Sequence, residues 1–425
     1  MTRIILSILV VITLLSLLGC GQTVSGQVLQ SDKPRDTLPS VEESDLTALV
    51  DGNNAFAFDL YQVLKQTGGN LFYSPYSISE ALAMTYAGAR SETEKDMAEA
   101  LNFTLSQDRL HPAFNSIDLQ LRQRGQEAAA KNETGFQLDV ANAIWGQKGY
   151  QFLAQYLDVL AQNYGAGLRI VDFIKETELS RVTINQWISD QTQGKIKDLI
   201  PPGGINDMTR LVLTNAVYFN AAWQYPFNDE ATSDGLFYLL DGSSVTAPMM
   251  KQTESFGYVE GDNYEAVELP YSGQELSMVI LLPKAGEFEA FEKSLDAELV
   301  KTIIGQLEMN EVSLTMPKFK YECSFGLKQA LSTLGMGVAF TPDADFSGMN
   351  GDHDLLIQDV LHKAFVSVDE AGTEAAAASG VIVGITAIPA QPTQVTINRP
   401  FLFLIRDIPT GSIVFVGRVL NPAAH

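Results

Sequence analysis

The sequence contains few of the side chains that build metal and disulfide sites. Only two of its 425 residues are cysteines, Cys20 and Cys323, and only four are histidines. Two cysteines give no disulfide framework and no cysteine-based metal cluster, and four histidines leave little room for a histidine-based metal site. We therefore expect neither a metal ion nor another cofactor.

Basic residues are scarce as well. The 28 lysines and arginines stand against 51 aspartates and glutamates, which gives a formal net charge of -23. Nucleic acids and anionic membrane surfaces repel a chain of this charge, so neither is an expected partner. Hydrophobic residues make up 46% of the chain, which is enough for a sizeable core.

The signatures of familiar enzymes are missing too. The sequence has no G-x-S-x-G, no H-E-x-x-H, no phosphate-binding P-loop and no G-x-G-x-x-G. Cys323 lies beside a strand pattern, where a packed cysteine is favoured over a reactive thiol. We expect no enzymatic activity.

The first 19 residues have the pattern of an export signal. Arg3 supplies a positive charge, residues 4–18 form an apolar run that is short for a transmembrane helix, and the sequence L-L-G-C ends at Cys20. This ending resembles the lipobox of bacterial lipoproteins. We expect residues 1–19 to be a lipoprotein signal peptide and Cys20 to carry a lipid that anchors the protein on the periplasmic or outer side of a membrane. An ordinary secretory signal with a chance cysteine is the alternative, and both predict export.

The rest of the chain divides into a tether and one domain. Residues 20–44 are rich in Ser, Gln, Asp and Thr, contain Pro34 and Pro39 and lack hydrophobic periodicity, which favours a flexible tether. From Asp45 onward, helical patterns come early and strand patterns later, with no internal repeat. Residues 45–425 are therefore predicted to form a single α+β domain.

Two serine–glutamate pairs have the spacing of capping boxes. Ser77 is followed by Glu80, and Ser91 is followed by Glu94. In such a box the serine caps the start of a helix and the glutamate bonds back to the backbone of the serine. We therefore predict that one helix begins at Ser77 and another at Ser91.

The stretch between residues 370 and 400 fits neither a loop nor an ordinary strand. It has no charge from Ala375 to Asn398, and four consecutive alanines run into a valine–isoleucine–valine sequence. Charge or proline normally guards such a strand-prone segment against edge pairing, and here the only prolines come late. We infer that residues 372–384 are a strand held in reserve, and that its pairing with a sheet is the function.

Two polar residues interrupt apolar rows. Asn215 lies in the alternating run 211–219, and His362 heads a row that continues with Ala364 and Val366. If these faces are buried, both side chains need partners, because an unpaired buried polar group costs about 1–3 kcal/mol. A satisfied core residue is the simplest interpretation of each.

Distinctive short motifs, each present once, are spread along the chain from about residue 45 to residue 422. They are N-L-F-Y-S-P-Y-S-I at 70–78, V-A-N-A-I-W at 140–145, I-N-Q-W-I and T-Q-G-K-I within 184–196, T-N-A-V-Y-F-N-A-A-W at 214–223, M-P-K-F at 316–319, H-K-A-F-V-S-V-D-E-A-G-T-E-A-A-A-A at 362–378 and V-T-I-N-R-P-F-L-F-L-I at 395–405. With these motifs the chain resembles the serpin family.

The resemblance implies the serpin fold, with three β-sheets, about nine helices and an exposed reactive-centre loop. It also implies a suicide-substrate inhibitor. The target protease cleaves the loop and is trapped as an acyl-enzyme, while the loop inserts into the central sheet as a new strand. The expected partner is a serine or cysteine protease in a covalent complex with a monomeric inhibitor.

The resemblance assigns roles to individual residues. The hinge of the reactive loop matches Glu370, Gly372, Thr373, Glu374, Ala375, Ala376, Ala377 and Ala378. The shutter beneath the central sheet matches Ser74, Ser77, Asn215 and His362, of which the last two are expected to meet. The breach at the top of the sheet matches Trp223, Lys318 and Glu370, of which the last two are expected to pair. After insertion, the core side of the new strand would consist of Thr373, Ala375, Ala377, Ser379 and Val381, which are all small or apolar.

In inhibitory members the cleaved bond usually follows the seventeenth residue counted from the hinge glutamate. With Glu370 as the first residue, this spacing puts the cleaved bond between Thr386 and Ala387. The loop is longer than in common relatives on the far side of this bond, so Ile385 and Ala387 are alternatives to Thr386 as the residue before the cleaved bond. None of these residues is basic, which disfavours trypsin-like proteases and favours an elastase-like or subtilisin-like target.

The alternative function is that of a non-inhibitory serpin, acting as a substrate, a carrier or a chaperone. Prolines, bulky residues or charges on the inward side of the hinge would indicate it, and this hinge has none of them.

Overall fold

The computed structural model of the chain describes residues 27–124, 137–373 and 391–424. Within these ranges the chain forms ten α-helices and sixteen β-strands, which confirms the predicted α+β class. None of the helices in the described ranges is both long and apolar enough to cross a membrane.

Most of the helical residues belong to the first half of the chain. In chain order the helices are α1 (Glu43–Leu64), α2 (Pro75–Tyr86), α3 (Ser91–Ala100), α4 (Gln107–Gln123), α5 (Ala154–Val159), α6 (Thr177–Gln191), α7 (Phe288–Ser294), α8 (Ala297–Gly305), α9 (Lys328–Thr333) and α10 (Ser347–Asn350).

The strands form two hydrogen-bonded sheets. In chain order they are β1 (Gln27–Leu29), β2 (Leu71–Tyr73), β3 (Gln137–Gln147), β4 (Leu168–Val171), β5 (Leu211–Ala222), β6 (Ser233–Tyr238), β7 (Ser244–Glu260), β8 (Tyr264–Pro270), β9 (Leu276–Pro283), β10 (Glu308–Pro317), β11 (Phe319–Gly326), β12 (Asp359–Val368), β13 (Gly372–Thr373), β14 (Thr393–Thr396), β15 (Phe401–Asp407) and β16 (Ile413–Val419). The first sheet has the order β1-β4-β3-β5-β13-β12-β11. The second has the order β14-β10-β7-β8-β9-β15-β16-β2, and β6 pairs with β7.

The resemblance implies three sheets, whereas the described strands form two networks. The difference comes from β7, a single strand of 17 residues. Its first part pairs with β6, its central part with β10 and its last part with β8. One long strand therefore joins two groups of strands into one hydrogen-bonded network.

Both faces of the first sheet are covered at β5. Alternate residues of this strand, among them Leu213 and Phe219, belong to the large core that both sheets and the N-terminal helices share. The residues between them, Val212 and Ala216, belong to a smaller apolar cluster that includes Ile184 of α6. Helix α2 contacts strands of both sheets and is buried along its whole length. The middle of this sheet is thus shielded from water on both sides.

The structure corrects how the two predicted helices begin. Helix α2 starts at Pro75 and not at Ser77, because Ser74 is its N-cap and the Ser74 Oγ accepts a hydrogen bond from the Ser77 backbone N–H at 3.2 Å. Ser91 is the first residue of α3, but its hydroxyl donates to Asp345 at 2.7 Å and does not cap the helix. At both positions the serine–glutamate spacing therefore occurs without a serine that caps the helix in the predicted way.

Part of the predicted flexible tether is packed on the domain. Residues 27–29 form β1, which pairs antiparallel with β4 at the edge of the first sheet. Further along, the Arg35 guanidinium bonds Asn115 at 2.8 Å and Asp118 at 2.5 Å, both on α4. The tether prediction is wrong for residues 27–44, because a sheet edge and a buried carboxylate from distant parts of the chain hold this segment.

Candidate functional site

Strands β5 and β12 are paired over most of their length and separated at one end. Residues 212–218 of β5 pair in parallel with residues 359–365 of β12. Beyond these residues β13 lies between the two strands and is antiparallel to both, with Thr373 opposite Ala221 on one side and Val368 on the other. The sheet therefore has a gap that already holds the first two residues of an additional strand.

A tight turn after β12 brings the chain back into this gap. The Asp369 backbone N–H donates to the carbonyl of Gly372 at 2.9 Å, and the Trp223 N–H donates to the carbonyl of Ala371 at 2.9 Å. At Gly372 a Cβ atom would lie only 2.1 Å from the Ala221 carbonyl oxygen. Only glycine allows this close approach of two backbones.

Thr373 occupies the gap as a fully buried residue. Its Oγ1 and the Tyr271 hydroxyl form a hydrogen bond of 2.8 Å. The Tyr271 ring stacks on the Trp223 ring with a centroid distance of 4.7 Å, and the Trp223 Nε1–H donates to the Asp369 carbonyl at 3.0 Å. The gap is thus shaped for one small polar side chain.

Glu370 is held immediately before β13. Lys318 Nζ lies 2.5 Å from Glu370 Oε2, and the Thr232 hydroxyl donates to Glu370 Oε1 at 2.6 Å. Burial tends to raise the pKa of the Glu370 carboxyl, but the hydrogen bonds from Lys318 and Thr232 outweigh burial and lower the pKa. The structure thus brings together the three residues predicted for the breach, Trp223, Lys318 and Glu370.

A buried polar cluster lies beneath the paired part of β5 and β12. His362 Nδ1 is 2.5 Å from Asn215 Oδ1, and the Ser74 backbone N–H donates to His362 Nε2 at 3.3 Å. Since Nε2 accepts, the ring proton is on Nδ1 and is donated to Asn215. Burial lowers the pKa of His362 to about 3, so the ring is neutral at physiological pH.

Ser77 extends this cluster. Asn215 Nδ2 donates to Ser77 Oγ at 2.5 Å and also to Asn142 Oδ1. Ser77 Oγ in turn donates to Asn142 Oδ1 at 3.1 Å. One hydrogen-bond network therefore includes all four residues predicted for the shutter, Ser74, Ser77, Asn215 and His362.

Asn142 and Glu80 belong to the same network and were not predicted. Asn142 Nδ2 donates to Glu80 Oε2 at 2.7 Å. The sequence does carry a signal for Asn142, because it interrupts the apolar row of Leu138, Val140 and Ile144 in the same way that Asn215 interrupts its own row. Glu80 carries no such signal, since its spacing from Ser77 indicates a capping box.

Glu80 is a buried acid at the end of the network. Burial and the neighbouring Asp118 carboxylate raise its pKa to about 8, although Arg122, the hydrogen bond from Asn142 and Arg35 act in the opposite direction. The carboxyl group is therefore mostly protonated at neutral pH, unlike an ordinary glutamate.

Several predicted residues lie outside the described part of the chain. They are the lipidation site Cys20, the hinge residues Glu374, Ala375, Ala376, Ala377 and Ala378, and the residues of the predicted bond, Ile385, Thr386 and Ala387. The described hinge residues are Glu370, Gly372 and Thr373, which lead into the gap and occupy it.

The described residues offer little other chemistry. Burial raises the pKa of the Cys323 thiol to about 11, and its Sγ lies 3.6 Å from the Asn70 carbonyl oxygen, which does not favour a nucleophile. Among the residues that the structure describes, no group of three or more His, Cys, Asp or Glu side chains is arranged to hold a metal ion. The gap and the polar cluster beneath it are therefore the candidate functional site.

The chain matches known proteins along most of its length. A family model described as "Serpin (serine protease inhibitor)" matches residues 51–422. Leukocyte elastase inhibitor A of Mus musculus is 40% identical over 386 residues, which are 88% of this chain and 99% of the relative. An uncharacterized serpin-like protein of Thermococcus kodakarensis is 39% identical over 394 residues, which are 91% of this chain and 90% of the relative. The crystal structure of the thermophilic serpin tengpin in the native state has a TM-score of 0.81 at 28% identity, with coverage of 94% of this chain and 100% of that one.

Proposed function

Because the chain belongs to the serpin family, we propose that it is a suicide-substrate inhibitor of a serine protease. Its relatives, among them an elastase inhibitor, support the role of a protease inhibitor. In this proposal the protease cleaves a reactive loop and is held as an acyl-enzyme while the cleaved loop inserts between β5 and β12. The protein itself turns over no substrate.

The register of β13 carries this proposal. Thr373 pairs with Ala221 and Val368, whose numbers differ by 368 − 221 = 147. Where β5 and β12 pair directly, Val212 lies opposite Asp359, and 359 − 212 is also 147. A strand that continues from Thr373 would therefore fit between β5 and β12 without any change in their relative register.

The continued strand would meet suitable neighbours. In this register Ala375 would lie between Phe219 and Val366, Ala377 between Val217 and Ala364, and Val381 between Leu213 and Val360. All six neighbours are buried, so only small or apolar side chains fit there. Ser379 would lie between Asn215 and His362, where its hydroxyl could replace the hydrogen bond that insertion breaks.

Insertion on this scale supplies enough free energy to trap a protease. If about a dozen residues each gain ladder hydrogen bonds at roughly 0.5–1.5 kcal/mol, the inserted form is favoured by on the order of 10 kcal/mol. This is comparable to the stability of a whole domain. The uncleaved protein is then kinetically trapped and is not the most stable form of the chain.

The residues around the predicted bond support the choice of target. Thr386, Ala387 and the alternative Ile385 are uncharged and small to medium in size. We therefore propose an elastase-like or subtilisin-like serine protease as the target.

Incubation with elastase, subtilisin and trypsin, followed by a denaturing gel, tests the proposal. We expect an SDS-stable covalent complex with elastase or subtilisin and none with trypsin. Mass spectrometry of the released peptide identifies the bond, and a peptide that begins at Ala387 is expected. A peptide released by cleavage after Ala390 or later would contradict the proposed register.

Clean cleavage without a complex, across a broad panel of proteases, would overturn the inhibitor proposal. That result would favour the alternative, a non-inhibitory serpin acting as a substrate, carrier or chaperone. One observation is against this alternative. The gap between β5 and β12 already holds Gly372 and Thr373, so the start of the hinge is compatible with insertion.

We also propose that the protein is an exported, lipid-anchored monomer. The support for export and for the anchor is the sequence pattern alone, with Arg3, the apolar run 4–18 and the L-L-G-C ending at Cys20. Expression in a bacterial host with a radiolabelled fatty acid tests it. Label should enter the intact chain and be absent from Cys20→Ala, and equal labelling of both would contradict the anchor.

A further inference from the structure

Strand β1 points to one particular end of the first sheet. It is antiparallel to β4, with Gln27 opposite Ile170, so β1 read back toward the N-terminus points to the end of β4. At this end Gln147 and Val171, the last residues of β3 and β4, lie opposite each other. Strand β5 begins beside them at Leu211. We call the end formed by Gln147, Val171 and Leu211 the anchor end of the sheet.

The gap between β5 and β12 lies at the opposite end of the sheet. Thr373 pairs with Ala221, which is 221 − 211 = 10 residues along β5 from Leu211. Ten residues of strand span about 33 Å. A membrane attached to the chain before β1 would therefore lie far from the gap.

The packing of β1 shortens the reach of the proposed lipid anchor. Only seven peptide units connect Cys20 to Gln27. They span at most about 25 Å, whereas a free segment 20–44 would span up to about 85 Å. A domain of this length is roughly 50 Å across. In a lipid-anchored chain, the anchor end of the domain is thus held close to the membrane.

Exposed apolar side chains are concentrated in the part of the chain around this end. Ile174 is 47% exposed, Leu179 42%, Val182 47% and Met208 70%. Twelve large hydrophobic residues are exposed in the described ranges, and these four of them fall within a stretch of less than a tenth of the chain. We call these four residues the anchor-end patch.

Hydrogen bonds place the patch at the anchor end. The Ile174 backbone N–H donates to Gln147 Oε1 at 3.2 Å. The Gln147 backbone N–H donates to the carbonyl of Arg210, two residues after Met208, at 2.9 Å. The other two members of the patch are three residues apart on the first two turns of α6, so they share one face of that helix.

The same part of the chain carries no net charge. Residues 168–210 contain six basic and six acidic residues, whereas the whole chain has a net charge of -23. The acidic charge that repels membrane surfaces therefore belongs to other parts of the chain. Exposed apolar side chains in neutral surroundings suit the interface of a zwitterionic lipid bilayer.

We propose that the anchor-end patch of the uncleaved protein lies in the surface of the membrane, among zwitterionic phospholipids. This inference rests on the proposed lipid anchor at Cys20. Burial of the patch at the interface adds to the binding that the lipid on Cys20 supplies. It also fixes the orientation of the domain, so that the gap faces the solution and proteases can reach it.

Insertion would bring a trapped protease to the same end. In the register of β13, residue 383 would lie opposite Leu211, because 373 + 221 = 383 + 211. The protease and the membrane would then compete for the anchor end. The proposed contact therefore belongs to the uncleaved protein, and the test uses that form.

Quenching by lipid tests the proposal. The full chain with Cys323→Ser has no free thiol once Cys20 is lipidated, so a fluorophore can be attached to one added cysteine. The lipidated protein is reconstituted into phosphatidylcholine vesicles with and without doxyl-labelled phosphatidylcholine. We expect the doxyl lipid to quench a fluorophore on Met208→Cys at least about twofold. A fluorophore on Leu236→Cys, at an exposed residue of β6, is the control and should be quenched little, because Thr232 just before β6 bonds Glu370 beside the gap.

A second variant separates the patch from the tether. Ile174→Ser/Val182→Ser, combined with the fluorophore on Met208→Cys, should lower quenching to the level of the β6 control. Tyr238→Ser, at a residue of β6 that is 49% exposed, is the matched control and should leave quenching unchanged. All these side chains are exposed, so the unfolding midpoint should stay the same.

The outcomes separate this inference from the proposed anchor. If Cys20 takes up no labelled fatty acid, the anchor and the inference both fail. If Cys20 is lipidated but the fluorophores at residues 208 and 236 are quenched equally, the anchor stands and the membrane contact of the patch is refuted. Unchanged quenching in Ile174→Ser/Val182→Ser would show that the tether alone holds this end near the bilayer, which also overturns the inference. If the patch variant changes the sedimentation of the protein in detergent, a second copy of the chain covers the patch, and the membrane proposal is wrong.

Discussion

Strands β5 and β12 meet in two different ways. At one end Gly372 and Thr373 hold them apart, supported by the pair between Lys318, which is 37% exposed, and Glu370. Along the rest they pair directly over the buried cluster of Asn215 and His362. A partly exposed ion pair contributes little, whereas the loss of one partner in a buried network leaves the other unsatisfied.

The difference indicates where the sheet opens and what keeps it closed. At the β13 end an inserting strand only extends pairing that already exists. Toward the other end it must first break the Asn215–His362 bond. If the loop inserts as proposed, insertion would start at the β13 end, which we call the open end, and the polar cluster at the other, closed end would be a barrier to it. Variants at the two ends should therefore act differently.

The largest effect is expected from a charge placed in the gap. Thr373→Arg puts a guanidinium where the side chain is fully buried against Tyr271, so the strand should not be able to insert. The covalent complex should disappear while the protease still cleaves the chain, as a gel shows. Thr373→Ser keeps the hydroxyl and is the control, which should retain the complex. A wild-type amount of complex with Thr373→Arg would contradict insertion along this gap.

A smaller but clear effect is expected from the closed end. Asn215→Ala removes the partner of His362 Nδ1 and of Ser77, at a cost of about 1–3 kcal/mol. The thermal unfolding midpoint should fall, and inhibitory activity should decay faster on warming because the barrier to insertion is lower. Asn220→Ala, on the same strand but only partly buried, should change both values little. Equal effects of the two variants would argue against a special role of the cluster.

The pH dependence of the closed end follows from Glu80, whose pKa is raised to about 8 in the folded chain by burial and by Asp118. A raised pKa means that the folded state binds the proton more tightly than the unfolded state. The protonated Glu80 carboxyl therefore contributes its full stability below about pH 4.5, and this contribution is lost as the pH rises through about 8.

Glu80→Gln tests this dependence, because it replaces the acid with a neutral group of the same shape. The variant should have a higher unfolding midpoint than the unaltered chain at pH 8, and the difference should shrink toward pH 5. Glu298→Gln, at an exposed position, should show no such trend. A difference that is independent of pH would contradict the buried, protonated state of Glu80.

The smallest effect is expected at the open end. Lys318→Met removes the charge that pairs with Glu370, and solvent screening limits the loss to about 1 kcal/mol or less. Hydrogen exchange in a peptide that contains residues 366–373 should rise slightly, with little change in the unfolding midpoint. A loss as large as that of Asn215→Ala would show that the ion pair, and not the cluster, keeps the sheet closed.

Local patterns predicted only part of the site. The alternation around Asn215 and His362 predicted two buried polar residues in need of partners, and the structure bonds them to each other. The same pattern surrounds Asn142, which belongs to the same hydrogen-bond network. Glu80 was predicted to cap a helix, because the spacing of Ser77 and Glu80 is the same whether the carboxyl turns back to the backbone or inward to the sheet.

The placement of two other segments could not be predicted from their own residues. Nothing in the composition of residues 27–44 indicates that Arg35 reaches Asp118 on α4. The motif at residues 362–378 predicts a hinge, but the entry of Gly372 and Thr373 into the sheet depends on the separation of β5 from β12, which belong to distant parts of the chain.

Short stretches of the sequence are enough to predict the class of fold, the uncharged segment that could become a strand and the polar residues that need partners, because periodicity is a local property. The partner of each residue becomes visible only in the folded chain. Ser74 and His362 are 288 positions apart and yet bonded. Thr232, just before β6, likewise bonds Glu370, which lies 138 positions further along the chain. Hydrogen bonds between distant residues depend on the packing of whole sheets and helices, and no short pattern contains that information.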